Sequence, residues 1–251
     1  MESKPKVDIV IPVYNEGERV LQTLDELQRK VGVPFRARFV YDSDSDTSLP
    51  FLRDAIRNNN LRNIEPFKNL YGRGALNAIK SGLESAEADY VLVTMADLSD
   101  DLAAVKPMVE LMDEGADIVC GSRYMKGGRQ IGGPFIKKNL SRLAGLSLHW
   151  ITGIPTHDIS NSFKMYRREF LRSIAIESVG GFEIGLEILV KAHMRGKRIA
   201  EVPTTWTDRA GGKSNFKLMK WLPLYLGWYW KAIKFKLSGA GGEIDKQKAS
   251  V

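Results

Sequence analysis

Apolar residues recur along the first 120 positions in two alternating rhythms. The run VDIVIPVY (7–14) is apolar at nearly every position, as a strand buried on both faces requires. EGERVLQTLDELQRKV (16–31) instead spaces Val20, Leu21, Leu24, Leu27 and Val31 along a helical stripe. ARFVYD (37–42) predicts a second strand, followed by a helix near 47–58. GALNAIKSGLESA (74–86) predicts another helix, and DYVLVTM (89–95) and DIVCGSR (117–123) further strands, with a helix over 101–113 between them. This alternation predicts an α/β fold with a mostly parallel sheet flanked by helices. Ligands of such sheets sit at the carboxyl ends of the strands, where YNE, YDSDSD, ADLSDD and GSRY all fall.

After Tyr124 the rhythm changes. KGGRQIGG (126–133) predicts a loop, and PFIKKNLSRLAGLSLHWITG (134–153) an amphipathic helix with Pro134 at its first position. Phe135, Leu140, Leu143, Leu146 and Trp150 share one face of it, with Lys137, Lys138 and Arg142 largely elsewhere. GLEILVKAHMRG (185–196) predicts a helix and RIAEVPTTWTDR (198–209) an edge strand. A last helix, from near Asn215, holds WLPLYLGWYW (221–230), ten uncharged residues of which five are aromatic. It suits a helix lying in a membrane interface, and equally a core or dimer helix. The implied organisation is a catalytic unit over 1–214 with the 134–153 helix inserted, an amphipathic helix over 215–237 and a flexible tail over 238–251.

Charge sharpens this picture. Of a net charge of +7 over 251 residues, the part from Lys213 onward carries six, through eight lysines opposed by Glu243 and Asp245. Such a cluster points to an anionic partner, membrane or nucleic acid, or marks a solvated helix face. No nucleic-acid motif accompanies it, which disfavours nucleic acid. No run reaches the roughly 20 apolar residues that span a bilayer. No apolar stretch precedes the first strand, so no signal peptide is expected. The single cysteine, Cys120, lies in the apolar run ADIVCG and reads as core. A reducing, cytoplasmic setting with peripheral membrane association is the expectation.

The chemistry centres on LVTMADLSDDL (92–102), a strand running into a loop of carboxylates. Such a loop can hold a divalent cation against a nucleoside diphosphate, or simply form an acidic helix start. Met95 stands within it, and a thioether is a poor ligand for a hard cation.

Several motifs resemble glycosyltransferase family 2, whose members have the GT-A fold. IPVYNEGERV is similar to the family's opening motif, VYDSDSDTS (40–48) to its second-strand segment, NLYGRGALNAIKSG (69–82) to its Gly-rich helix entry, and MADLSDD to its Asp-Ala-Asp metal motif. The resemblance implies a donor nucleotide site at Pro12, Tyr14, Glu16, Asp42, Ala96 and Asp97, with Mg²⁺ or Mn²⁺ held by Asp97. The sequence departs from the pattern at Tyr41 and Met95, each in place of an aspartate, and at Ser99, where glutamine or another polar ligand is usual. Asp100 and Asp101 are candidates to compensate.

IVCGSRYMKGG (118–128), HDISNSFKMYRREFL (157–171) and the segment 181–216, with its Asp-Arg-x-x-Gly-x-Ser pattern, are similar to the polyprenyl-phosphate glycosyltransferases, which include dolichol-phosphate mannose synthases. By that resemblance Arg123, Ser162, Arg209, Lys213 and Ser214 contact phosphate or acceptor, and Asp97, Asp158 and Arg209 are catalytic. Asp158 is the base only for a sugar-hydroxyl acceptor. Glu187, one turn after Glu183, supports the site or is a plain helix residue. The implied activity is inverting transfer of a sugar from a nucleotide-diphosphate sugar to a polyprenyl phosphate at the membrane surface. The alternatives are a same-fold transferase with a non-lipid acceptor, and a degenerate, non-catalytic protein that binds nucleotide or lipid.

Overall fold

Strands form where the apolar runs lie. The computed structural model describes residues 4–208 and 218–239, with side chains of the second segment described from Trp221 onward. The strands are Val7–Val13 (β1), Phe35–Tyr41 (β2), Ile64–Lys68 (β3), Tyr90–Val93 (β4), Ile118–Ser122 (β5), Arg129–Ile131 (β6), Lys164–Arg167 (β7), Ile199–Pro203 (β8) and Thr205–Thr207 (β9). Seven of them form one sheet in the order β3-β2-β1-β4-β7-β5-β8, while β6 pairs with β9. β7 runs antiparallel to both its neighbours, and the other pairs of the large sheet are parallel.

Helices cover both faces: Val20–Lys30 (α1), Ser48–Asn59 (α2), Ala75–Ser85 (α3), Val105–Asp113 (α4), Phe135–Thr152 (α5), Arg168–Arg172 (α6), Ile184–Met194 (α7) and Leu218–Leu237 (α8). One apolar layer joins Leu24 and Leu27 of α1, Leu52 of α2 and Met108 of α4 to Ile9, Ile11 and Phe39. The other joins Ile79 of α3, Phe170 of α6, Ile188 of α7 and Trp228 of α8 to Val10, Val40 and Val91. β1 supplies both layers, which is why its sequence is apolar without alternation.

The structure adds three strands that periodicity does not predict: β3 and β7 in the large sheet, and β6, which forms within the predicted loop 126–133 by pairing with β9. β3 (IEPFK) contains Pro66, and β7 (KMYR) is four residues long with charges at both ends. The predicted strand 198–209 divides at Thr204: β8 ends at Pro203 on the sheet edge, and β9 leaves to pair with β6. Two predicted helices begin later than expected, each after a 3₁₀ turn, at Gly17–Arg19 and Leu102–Ala104.

The amphipathic helix α5 turns the smaller side of its surface inward. Gly145, Leu148 and Thr152 are buried, while Phe135, Ile136, Leu143 and Trp150 remain 63–78% exposed. Gly145 permits this approach, because a Cβ there would lie 2.2 Å from the His157 carbonyl oxygen. α8 packs against α5 through Tyr229, whose hydroxyl donates to Ser147 Oγ at 2.8 Å. α8 bears out the core reading along one side and leaves apolar side chains exposed on the other. Trp228, Ala232 and Ile233 enter the core, and Leu226 and Trp230 face solvent.

Gly82 marks a similar close approach, of α3 onto β1: a Cβ would meet Val10 Cγ1 at 2.2 Å. Gly→Ala in an open helix stabilises by up to about 1 kcal/mol. Gly82→Ala is expected instead to destabilise by about 1–3 kcal/mol through overpacking. Urea unfolding midpoints check the sign, and a stabilised variant would contradict the packing.

Candidate active site

Parallel strands bring the loops after β1, β2, β4 and β5 to a single edge. The reversal at β7 brings a further segment there, because the residues before an antiparallel strand lie at the carboxyl ends of its neighbours. The predicted residues before and after Tyr124 therefore meet. The opposite edge holds an ion-pair network. There Asp8 accepts from Arg36 Nε at 2.8 Å, Arg36 Nη2 at 2.9 Å and the Ala88 amide at 2.9 Å.

The first part of the carboxyl edge is a pair of mutually braced loops. Asn15, at φ +53°, donates its amide to Asp46 Oδ2 at 3.0 Å, and its side-chain oxygen accepts from the Thr47 amide at 3.2 Å. Asp46 also accepts from the Ser48 amide, whose Oγ accepts from the Glu16 amide at 3.0 Å. Asp46 is thus buried as a brace, whereas Tyr14 projects 65% exposed. Pro12 is half-buried on β1. Asp42 accepts from Asn69 Nδ2 at 2.8 Å and from the Gly74 amide at 2.9 Å, which fixes the Gly-rich entry to α3 against β2.

The carboxylate loop comes next. The buried Ala96 offers its carbonyl to Thr23 Oγ1 at 2.9 Å, which ties the loop to α1. Asp97 is half-buried, and its Oδ1 accepts from the Ser99 amide at 3.1 Å. Leu98 between them has φ +59°, a strained value for a bulky side chain and of the kind that clusters at functional sites. Asp100 is buried, and desolvation followed by the Asp97 charge pushes its pKa up to about 7. Met95 packs against the second apolar layer.

Arg123 and Asp158 form the third part. Asp158 Oδ2 accepts from Arg123 Nε at 2.7 Å and from the Arg123 amide at 3.1 Å, and Oδ1 accepts from Nη2 at 2.9 Å. Arg123 Nη2 also donates to Ser160 Oγ at 2.7 Å and, at 3.4 Å, to Ser141 Oγ on α5. Burial opposes ionisation of Asp158, but the Arg123 charge and hydrogen bonds outweigh it and hold the carboxyl below its ordinary range. Tyr124 follows, its hydroxyl 3.0 Å from Ser141 Oγ. Ser162 is half-buried in the same loop. Arg209, Lys213 and Ser214 lie outside the described residues.

Sequence reasoning misses one support of this edge and leaves another open, the pair Glu183 and Glu187. Lys164, fully buried, donates from Nζ to the carbonyls of Ile159 and Asn161 and so orders the loop that carries Asp158. A lysine inside a strand, in SFKMY, is the signal that could have found it. Glu183 accepts from the Gly180 and Gly181 amides at 2.7 and 2.6 Å, and Glu187 from the Glu177 and Ser178 amides at 2.6 and 2.7 Å. That places both glutamates as braces of the 177–183 loop.

The carboxylate loop fits a divalent cation. Asp97 is accessible, and beside it the buried Ser99 Oγ and Asp100 Oδ1 have no hydrogen-bond partner. Among the described residues no three His, Cys, Asp or Glu side chains converge as a complete cation site. The protein would supply part of the coordination, with phosphate and water completing it, as is usual for Mg²⁺.

The fold is that of the GT-A glycosyltransferases. The fold superposes on a mannosyltransferase from Pyrobaculum calidifontis in complex with GDP-Man and Mn²⁺, with TM-score 0.61, 18% identity, and 84% of this chain and 59% of that one covered. It also superposes on glucosyl-3-phosphoglycerate synthase from Mycobacterium tuberculosis in complex with UDP, with TM-score 0.64, 15% identity, and 92% and 80% covered. The family model for glycosyl transferase family 2 matches residues 8–175, and the chain belongs to that family. It is 28% identical over 246 residues to dolichol-phosphate mannosyltransferase of Pyrococcus furiosus, across 96% of this chain and 66% of the relative. It is 32% identical over 144 residues to polyprenol monophosphomannose synthase of Mycolicibacterium smegmatis, across 52% of this chain and 54% of the relative. The chain spans about two thirds of the first relative's length and about half of the second's.

Asp158→Asn would leave the Arg123 charge buried without its counter-ion. The expected loss is about 3–5 kcal/mol at pH 7. A carboxyl whose folded pKa is depressed stabilises the fold above its unfolded pKa and loses that contribution as pH falls through the folded value. Chemical denaturation from pH 7 to pH 2 should therefore show the wild-type advantage shrinking below about pH 4. An advantage that does not change with pH would contradict the charge pairing.

Proposed function

We propose that the chain transfers a sugar from a nucleoside-diphosphate sugar to a polyprenyl phosphate at a membrane surface, with inversion at the anomeric carbon. One observation carries the reading: Arg123, a cation whose Nε and Nη2 are held by Asp158, is tied through Ser141 to α5, a helix that leaves bulky apolar side chains in solvent. A cation for the phosphate and an apolar surface for the lipid are thus built onto each other. The curated relatives, named for dolichol-phosphate and polyprenol monophosphate chemistry, support the same acceptor.

The donor nucleotide lies over Pro12, Tyr14 and Glu16, with Asp42 and the Ala96–Asp97 segment beneath the ribose and diphosphate. Asp97 would hold a divalent cation, Mg²⁺ or Mn²⁺, which would supply positive charge against the departing nucleoside diphosphate. The acceptor phosphate sits against Arg123, with Ser162 beside it and Arg209, Lys213 and Ser214 as further contacts. One of its oxygens attacks the anomeric carbon while the nucleoside diphosphate leaves on the opposite side. A phosphate monoester is largely dianionic near neutral pH, so no general base is needed. Asp158 then orients Arg123, and the engagement of both its oxygens favours that role over proton abstraction.

No helix among the described residues is long and apolar enough to cross a membrane. Attachment through α5 and α8 uses Phe135, Leu143, Trp150 and Trp230 as insertions, with Lys231, Lys234 and Lys236 each adding about 1 kcal/mol near an anionic leaflet.

Two measurements test this. Incubation with GDP-Man or UDP-Glc, Mn²⁺ and a short polyprenyl phosphate should move sugar label into the organic phase, and Asp97→Ala should slow transfer about 100-fold or more. Label that stays in the aqueous phase with both donors would contradict the acceptor class. Trp150→Asp and Phe135→Asp should each lower partitioning onto anionic vesicles about tenfold. Unchanged partitioning of both would contradict the membrane face.

A further inference from the structure

Two of the buried side-chain oxygens that lack a hydrogen-bond partner fall within three residues of Asp97: Ser99 Oγ and Asp100 Oδ1. Both residues are more than nine-tenths buried, Ser99 at 3% and Asp100 at 8% exposure. An unpartnered carboxylate oxygen in such surroundings is costly, and a folded protein ordinarily supplies it with a donor or a cation.

The side chain is not free to relieve itself by moving. Asp100 Oδ2 accepts from Thr94 Oγ1 at 3.1 Å, which fixes the carboxylate plane. The backbone is pinned on the other side, where the Thr207 amide donates to the Ser99 carbonyl at 2.9 Å and Asp100 bridges to Trp206. Asp97 lies near enough for its charge to act on Asp100. Asp97, Ser99 and Asp100 thus set two carboxylates and a hydroxyl oxygen within four consecutive residues, and among the described residues no ion pair joins any of the three to a cationic side chain. Hard divalent cations are bound by oxygens of these kinds.

The neighbours are unsuited to the task. Asp101 Oδ1 caps the Ala103 amide at 3.2 Å and lies 3.7 Å from Lys30, so this carboxylate is tied to the start of the next helix and to a lysine at the surface. Met95 offers a thioether and packs into the apolar layer.

Resting on the transfer reading above, we propose that Asp100 is a direct ligand of the divalent cation. With Asp97 it makes a two-carboxylate site, Ser99 Oγ is the third protein oxygen, and Asp100 takes the place that Met95 vacates. The Leu98 turn and the bridge to Trp206 hold Asp100 in this position.

Mn²⁺ binding in the presence of GDP or UDP, read by electron paramagnetic resonance of the free ion, tests the assignment without turnover. Asp100→Asn should weaken Mn²⁺ about tenfold or more, and Asp101→Asn should leave it unchanged. Mn²⁺ affinity in Asp100→Asn equal to wild type would overturn the proposal. Asp100→Cys adds a readout that a merely structural residue would not move, since thiolate favours the softer Cd²⁺. That variant should bind Cd²⁺ more tightly and Mn²⁺ more weakly than wild type, and an unchanged Cd²⁺ to Mn²⁺ preference would overturn the assignment. Sugar transfer that proceeds with metal-independent nucleotide binding would overturn it too while leaving the transfer reading intact. A two-carboxylate Mn²⁺ site on a protein that transfers no sugar would do the reverse.

Discussion

The buried pair of Arg123 and Asp158 is the constraint on which the rest of the carboxyl edge depends. Desolvating two charges costs several kcal/mol each, and only good geometry with further hydrogen bonds repays it. Here the pair is bidentate and is supplemented by Ser160 and by the Arg123 amide, with Ser141 at the limit of contact. These bonds fasten together the end of β5, the loop before β7 and the middle of α5. Three chain segments that are distant in sequence are therefore held to one charge. Loss of the pair would loosen the acceptor loop and the apolar helix together.

The antiparallel strand explains why the site has two halves. A purely parallel sheet delivers only loops that follow its strands. β7 reverses direction between β4 and β5, so the residues before it arrive beside the carboxylate loop. Lys164 holds that arrival in place from within the core, through the carbonyls of Ile159 and Asn161. The part of the edge built on β1, β2 and β4 is braced separately by Asp46 and Asp42. The two halves meet where Ser99 and Asp100 pair with β9.

What was legible in the sequence follows from the same physics. Strands buried on both faces, such as β1, announce themselves as continuous apolar runs, and the α/β class follows from their alternation with helices. β3 and β7 escape because Pro66 and the flanking charges of Lys164 and Arg167 erase the apolar signal over so short a span. The strand pattern placed Asp42, Asp97 and Arg123 on the carboxyl edge, where the structure brings them, and the motif resemblance added Asp158 as a site residue. It could not show that Arg123 and Asp158 face each other, because that contact spans 35 positions and is set by the β7 reversal. The exposed stripe of α5 is a further case. Periodicity identifies an apolar face, and only the packing at Gly145 shows that the face turns away from the core.

The central claim is geometric: a lipid phosphate reaches Arg123 by way of α5 and α8. Photo-crosslinking with a polyprenyl phosphate that carries a diazirine beside the phosphate, followed by peptide mapping, tests it most directly. Crosslinks should fall on the 121–124 segment, on the loop around Ser160 and on α5 or α8, and excess polyprenyl phosphate should compete them away. Crosslinks confined to the amino edge of the sheet, around Asp8 and Arg36, or spread without competition, would contradict it.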